Sequence, residues 1–354
     1  MMRLLFGVAL SLALTFPCLG QAAGDAPGLP KDPRELLKAA EPFYDFSNPS
    51  LKPWHLKASY QLYDLKGEPT EQGTFEYWWA SPQVYRSTWK RASASRTDWH
   101  TADGRLLRQE SGGQIGYFER TLFDTVSSPL PQISLVNSGR MELGLKQVPA
   151  GAVKMKCVVG SLRLFMNGRL ESHASGAPEY FCFDPVSLAV RMTSINSIVT
   201  GYNNVVKTQG LYIAKQVDAT RAKQRMFSIT VETIDGVSPS DPGLIPTAEA
   251  SRVDGTVYQD QAGVDGTHGS LVHKVQPMYP AAAKADREQG EVLLGAEIGT
   301  DGAVRNLEVL AAPSSRLANA AVDAVKQWHY SPYIQDGVPA EVNTIVHVIF
   351  SLGY

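Results

Sequence analysis

The chain has three cysteines and seven histidines, and these are the side chains whose types could do chemistry. Cys18 falls in an apolar N-terminal run, which leaves Cys157 and Cys182 as an even pair. They sit in the strand-like contexts Lys156-Cys157-Val158-Val159 and Tyr180-Phe181-Cys182-Phe183. In an exported chain such a pair reads as one disulfide. A metal site needs more ligands at finger-like spacing, and the sequence has none. His55, His100, His173, His268, His273, His329 and His347 fall in no His-Glu-x-x-His or comparable spacing. No Gly-x-Ser-x-Gly elbow, phosphate loop or dinucleotide fingerprint occurs. Glu119 and Asp124 lie close together, but a solvated helix face accounts for them as well as acid–base work does. The expectation is a non-enzymatic protein without a cofactor.

The elements that hold these residues follow from composition and period. At 354 residues the chain is long enough for two or three domains. Its 33 Lys+Arg against 35 Asp+Glu give a net charge of −2, with no basic excess for nucleic acid or an anionic membrane. Met1-Met2-Arg3, the apolar run Leu4 to Leu19 and the small residues Gly20, Ala22, Ala23 and Gly24 read as a cleavable signal peptide over 1–23. The alternative is a retained inner-membrane anchor. The expected location is the periplasm.

Residues 24–49 form an N-terminal segment with a short helix, capped by Asp32 and started by Pro33. From 50 to 235 the pattern is mostly period two. Trp54, Leu56, Ala58, Tyr60 and Leu62 share one face, and Phe75, Tyr77 and Trp79 share another. A helix is expected near Glu119 to Val126. Residues 236–268, with Pro239, Pro242 and Pro246 and no clear period, read as a linker. The remainder, 269–354, reads as α-β-β-α-β. Pro280 opens a helix that Gly290 ends. Val292, Leu294, Ala296 and Ile298 alternate, and Asp301-Gly302 turns the chain. Ser314 or Ser315 caps a second helix, whose Leu317, Ala321, Ala324, Val325 and Trp328 lie on one face. Val342 to Leu352 alternate again. The expected fold class is α+β, a mainly antiparallel β domain plus this small C-terminal domain.

Several spaced motifs of the last segment, Gln276-Pro277-x-Tyr279-Pro280, Gly290-x-Val292, Asp301-Gly302, Ser314-Ser315, Trp328-x-Tyr330-x-Pro332 and Asp336-Gly337, resemble the C-terminal domain of TonB, the bacterial energy transducer. That resemblance implies docking on a TonB-dependent outer-membrane receptor or another envelope protein, in association with transmembrane transport. A short receptor segment adds as a strand beside the last strand of the domain. It places the partner-binding residues at Val342, Asn343, Thr344, Ile345, Val346, His347 and Val348, with Gln276 helping to hold the segment. Backbone pairing supplies most of such binding. The departures are an apolar start without a histidine and a β domain where the family has a Pro-rich rod. They leave energy coupling open. The segment from 270 on carries six Lys/Arg against nine Asp/Glu, so no general basic surface helps it.

A second resemblance covers roughly 50–235. Tyr60-Gln61-Leu62-Tyr63, Gly73-Thr74-Phe75-Glu76-Tyr77-Trp78-Trp79-Ala80-Ser81-Pro82, Tyr85-Arg86 and Asp103-Gly104 are similar to the LolA-like lipoprotein carriers. In that group a half-open β barrel holds acyl chains on its concave face. The resemblance implies a lipid or other apolar ligand on a face containing Tyr60, Phe75, Tyr77, Trp79 and Trp89; the other reading is an aromatic core without a ligand. Arg86 either pairs with an acid at the barrel mouth or is solvated.

Overall fold

The computed structural model describes residues 28–131, 133–150, 153–163, 165–166, 169–170, 178–253, 257–259, 270–335 and 337–352. The signal segment expected over 1–23, His173, His268 and Asp336 lie outside the described residues.

In chain order the first elements are α1 (Pro33–Ala40), β1 (Trp54–Tyr63), β2 (Pro69–Trp79), β3 (Tyr85–Arg91), β4 (Ala94–His100), β5 (Leu106–Gly112), α2 (Tyr117–Ser127) and α3 (Ile133–Asn137). Next come β6 (Met141–Ala150), β7 (Val153–Leu162), β8 (Phe165–Met166), β9 (Arg169–Leu170), β10 (Glu179–Phe183), β11 (Val190–Ile195), β12 (Ile198–Thr208), β13 (Leu211–Arg221), β14 (Gln224–Gly236), β15 (Ser251–Arg252) and β16 (Val257–Gln259). The last are β17 (Leu271–His273), α4 (Ala281–Ala285), β18 (Gly290–Ile298), β19 (Val304–Ala311), α5 (Ser315–Val325), β20 (His329–Tyr330), β21 (Tyr333–Gln335) and β22 (Val338–Phe350).

Thirteen strands form one open antiparallel sheet in the order β15-β5-β4-β3-β2-β1-β14-β13-β12-β11-β10-β7-β6. Its centre follows from the period-two pattern. β1 turns Trp54, Leu56, Ala58, Tyr60 and Leu62 inward and is paired on both sides, by β2 and β14. The β1–β2 turn needs Gly67, at φ +82°, and is fixed by Asp64, whose carboxylate accepts from the backbone N–H of Lys66 and Glu68. Cys157 and Cys182 lie directly opposite each other on β7 and β10 and are joined by a disulfide.

Helices cover the inner face. α1 is capped by Asp32, accepting from the N–H of Arg34 and Glu35, and buries Leu36, Leu37 and Ala40. α2 lies where a helix is expected. Its Leu122 and Val126 are buried in the large core, and Phe123 stacks on Tyr77 with ring centroids 4.1 Å apart.

The second sheet runs β16-β22-β18-β19, with β21 also paired to β22. Ser314 caps α5 by accepting from Leu317 N–H, and Leu317, Ala321 and Val325 pack on Val292, Leu294, Val346 and Val348. The stretch 236–268, Pro- and Gly-rich and aperiodic, is anchored at three described points. Gly243 carbonyl accepts from Arg86 Nη1 at 2.8 Å, β15 pairs with β5, and β16 pairs with β22. Pro242 opens a short 3-10 turn at the first of these points, with Asp241 accepting from Gly243 N–H.

Candidate functional site

The last strand, β22, is paired with β18 from Val342 (opposite Ile298) to Phe350 (opposite Gly290). Its other edge is occupied in pieces. β21 covers Val338 to Ala340 as a hairpin, and β16 lies parallel beside Glu341 to Asn343. From Ile345 to Phe350 that edge has no strand beside it among the described residues. An edge of this kind presents a row of backbone donors and acceptors to another chain. Beside it runs a groove of about 330 Å³, lined among others by Leu271, Trp328, Tyr330, Tyr333 and Val346. Trp328 is fixed there by donating from Nε1 to Val275 carbonyl at 2.8 Å.

The alternation of β22 sorts the expected binding residues into two faces. Val342, Val346 and Val348 join the core under α5, and Val342 and Val346 also border the groove. Asn343 and Ile345 face α2, and His347 Nδ1 lies 2.7 Å from Glu291 Oε1. Thr344 lines the groove, and Gln276 is exposed next to Val275.

The face of the small sheet opposite α5 is covered by α2. Tyr117 packs on Leu293, Leu310 and Ala311. Arg120 Nη2 donates to Glu297 Oε2 at 2.9 Å and to Asn343 Oδ1 at 2.8 Å. Burial, followed by the neighbouring charge of Arg96, lowers the Arg120 pKa, and Glu297 opposes the shift. Glu308 on β19 accepts from Phe118 N–H at 2.9 Å, so a carboxylate of one sheet sits on the first turn of a helix packed on the other. Burial raises the Glu308 pKa. A polar cavity of about 400 Å³ adjoins this contact, lined by Arg96, Arg108, Glu110, Glu297, Arg305 and Glu341 with others. Arg96 and Arg108 both bond Asp98, and their charges hold its carboxyl below the ordinary range although burial pushes it up. Glu341 is shifted upward, by burial first and then by Glu297.

Tyr60, Phe75, Tyr77, Trp79 and Trp89 all face the large core, where they are packed. Tyr60 donates to Glu119, and Trp54, Phe75 and Tyr77 meet the ring of Phe123. The face that would hold acyl chains is filled by the chain's own helix. Arg86 takes neither expected role: its guanidinium lies 3.5 Å from the Trp78 ring centroid and bonds Gly243. Glu119 is likewise no solvated residue. It is 1% exposed and accepts from Tyr60, from Arg91 and from Gly116 N–H. Arg120 and Glu308 carry no motif. The available signal was the breadth of the apolar surface of α2, where Tyr117, Phe118, Leu122, Phe123 and Val126 wrap more than one face.

Residues 275–352 match the family model of the Gram-negative bacterial TonB protein C-terminal. Curated relatives named protein TonB align with the same region. The one from Escherichia coli (strain K12) is 32% identical over 78 residues, covering 22% of this chain and 30% of that protein. The one from Vibrio cholerae is 31% identical over 80 residues, covering 22% of this chain and 33% of that protein. The chain thus spans about a third of the length of these relatives. Among solved structures, a putative outer membrane lipoprotein-sorting protein domain from Vibrio parahaemolyticus aligns over 59% of this chain and 94% of its own, at 5% identity and TM-score 0.36. A LolA superfamily protein from Nitrosomonas europaea aligns over 60% of this chain and 97% of its own, at 7% identity and TM-score 0.31.

Proposed function

We propose that this chain is a periplasmic interaction protein. Its TonB-like C-terminal module docks an extended segment of an outer-membrane transporter, or of another envelope protein, by strand addition. The observation that carries this reading is the β22 edge, paired on one side, open from Ile345 to Phe350 on the other among the described residues, and flanked by an apolar groove. Backbone groups along such an edge give affinity, and side chains reaching the groove tune the choice of partner. Nothing in this mode requires a catalytic residue or a cofactor. The match to the TonB C-terminal family model supports the choice of an envelope partner. The alternative is a carrier of lipid or another apolar ligand that uses the same module for docking. It requires α2 to leave the aromatic face that Phe123 now fills.

A photo-crosslinking residue at Ile349, which is 74% exposed, tests the reading in the full chain. The expected adduct, formed with outer-membrane extract and mapped by mass spectrometry, joins β22 to an extended segment of a transporter. The same residue at Val186, exposed on a different sheet's loop, should give no such adduct. Equal adducts from both positions would sink the proposal.

A further inference from the structure

The edge of β22 is not evenly open. The chain pairs three of its own residues with it, Val257 with Glu341, Tyr258 with Val342 and Gln259 with Asn343. This is the parallel pair among the described strands of the small sheet; β18 joins both β19 and β22 antiparallel. β16 comes directly after β15, which is held on β5 of the large sheet by Ser251 opposite Arg108 and by Val253 N–H on Leu106 carbonyl. One short stretch of chain therefore adds a strand to the end of the large sheet and, within a few residues, a strand to the small one.

We propose that β16 is a resident strand: the chain's own occupant of the docking edge, which a partner segment displaces in order to pair beyond Ile345 and along Glu341 to Asn343 together. This inference rests on the proposed docking edge. A three-residue strand forms few ladder bonds, so it holds its place through tethering, which keeps its effective concentration on the order of millimolar. Releasing it costs a partner only those few bonds, and β15 stays anchored. A longer segment that pairs with the whole edge replaces them and adds more. The stretch that β16 occupies is also the stretch braced from behind, because Asn343 is the residue that Arg120 holds. The consequence is a tax on partner binding: an edge that is free only a fraction of the time shows an affinity reduced by that fraction.

Two variants of the full chain and one probe test this. The probe is a synthetic peptide copying residues 254–262, so it contains β16 itself. Val257→Pro/Tyr258→Pro/Gln259→Pro removes every N–H of the resident strand, whichever parity faces β22. Val257→Cys/Glu341→Cys joins a registered pair, and peptide mapping separates the new bridge from Cys157–Cys182. The expected result is that the proline variant binds the free copy about tenfold more tightly than the parent chain. The cysteine variant should crosslink under mild oxidation and then lose binding that reduction restores. Equal binding by parent and proline variant, or no binding by any form, overturns the proposal. So does failure of the cysteines to crosslink together with unprotected amides at 257–259 in hydrogen exchange. The probe is the chain's own segment, so these outcomes are read independently of whether a transporter is ever captured at Ile349.

Discussion

Arg120 on α2 donates one nitrogen, Nη2, to both Glu297 on β18 and Asn343 on β22. The helix that fills the inner face of the large sheet thereby also braces the strand proposed to receive a partner. The ion pair is largely buried, with Arg120 and Glu297 side chains 9% and 7% exposed. Removing one member leaves a buried charge unpaired. Arg120→Met is expected to cost about 3–5 kcal/mol, and the double change Arg120→Met/Glu297→Met roughly 2 kcal/mol less than that. Urea unfolding of the two variants decides it. A double variant no more stable than the single one would show that the pair is not the source of the loss.

Gly116 and Glu308 form a second cross-sheet contact. The backbone of Gly116 is ordinary, at φ −65°, so alanine fits the chain there without strain. What it does not fit is the space, since its Cβ would sit 2.6 Å from Glu308 Oε2. The carboxylate would have to leave Phe118 N–H. Gly116→Ala should therefore cost about 1–3 kcal/mol, the loss of a charge-assisted bond, and cost much less on a Glu308→Ala background. Equal losses in both backgrounds, measured by thermal unfolding, would place the penalty elsewhere.

The pH dependence carries a sign that can be read from Glu341. Its pKa is raised in the fold, because burial and the nearby Glu297 disfavour the charged form while Arg108, Arg96 and Arg120 only partly offset them. The folded state then holds a proton that the unfolded state has already released. Between the raised value and the ordinary value near 4.5, stability from this group rises as pH falls. His100 works against it below about 6.5, because burial lowers its pKa and the unfolded state charges first. Glu308, Glu179 and Asp218, also raised by burial, titrate in both chains, so the difference between parent and variant isolates Glu341. On acidification through that window the urea midpoint of the parent should rise relative to that of Glu341→Gln, and the variant should be the more stable chain at pH 8. A variant with an unchanged pH profile would refute the assignment.

The apolar face of the large sheet gives a test of the carrier reading. Phe123 stacks on Tyr77 and also meets Trp54 and Phe75, so the ring occupies the volume an acyl chain would need. The purified chain is expected to yield no stoichiometric lipid on organic extraction and mass spectrometry. Phe123→Ala should cost about 3–5 kcal/mol by opening a cavity. Stoichiometric lipid in the parent chain would mean that α2 sits elsewhere when the ligand is bound.

Much of this architecture is legible from residue order. Alternation in Trp54 to Leu62 marks β1, the spacing of Leu317, Ala321, Ala324 and Val325 marks the buried face of α5, and Asp32 and Ser314 mark helix starts. Such signals are local, and they survive because packing agrees with them. Glu119 misleads for the opposite reason: a carboxylate on a helix looks solvated until Tyr60 and Arg91 arrive from strands far away in sequence. Arg86 is settled by its cross-strand neighbour Trp78 and by a turn 157 residues away. β16 is invisible to pattern because three residues are too few to show an alternation.

The open part of the β22 edge makes the sharpest demand. Successive residues of a strand point their N–H to opposite sides, so in the neighbouring pair Val346 and His347 one N–H faces β18 and the other faces the open side. A proline removes that donor and fits poorly inside a ladder. Of Val346→Pro and His347→Pro, one should damage the domain's own sheet, and the other should leave the fold and block addition of a partner strand. Loss of such a backbone contact should weaken binding by about 1–3 kcal/mol, roughly 5- to 150-fold. Val346 also packs in the core under α5, so Val346→Ala is needed to separate the missing side chain from the missing donor. Ile349→Ser, which changes an exposed side chain and keeps the backbone, should weaken binding less than the blocking proline. The measurement is titration of the transporter segment recovered by crosslinking at Ile349 into each full-length variant, with circular dichroism as the check on folding. If both prolines leave fold and affinity unchanged, β22 is not the docking edge.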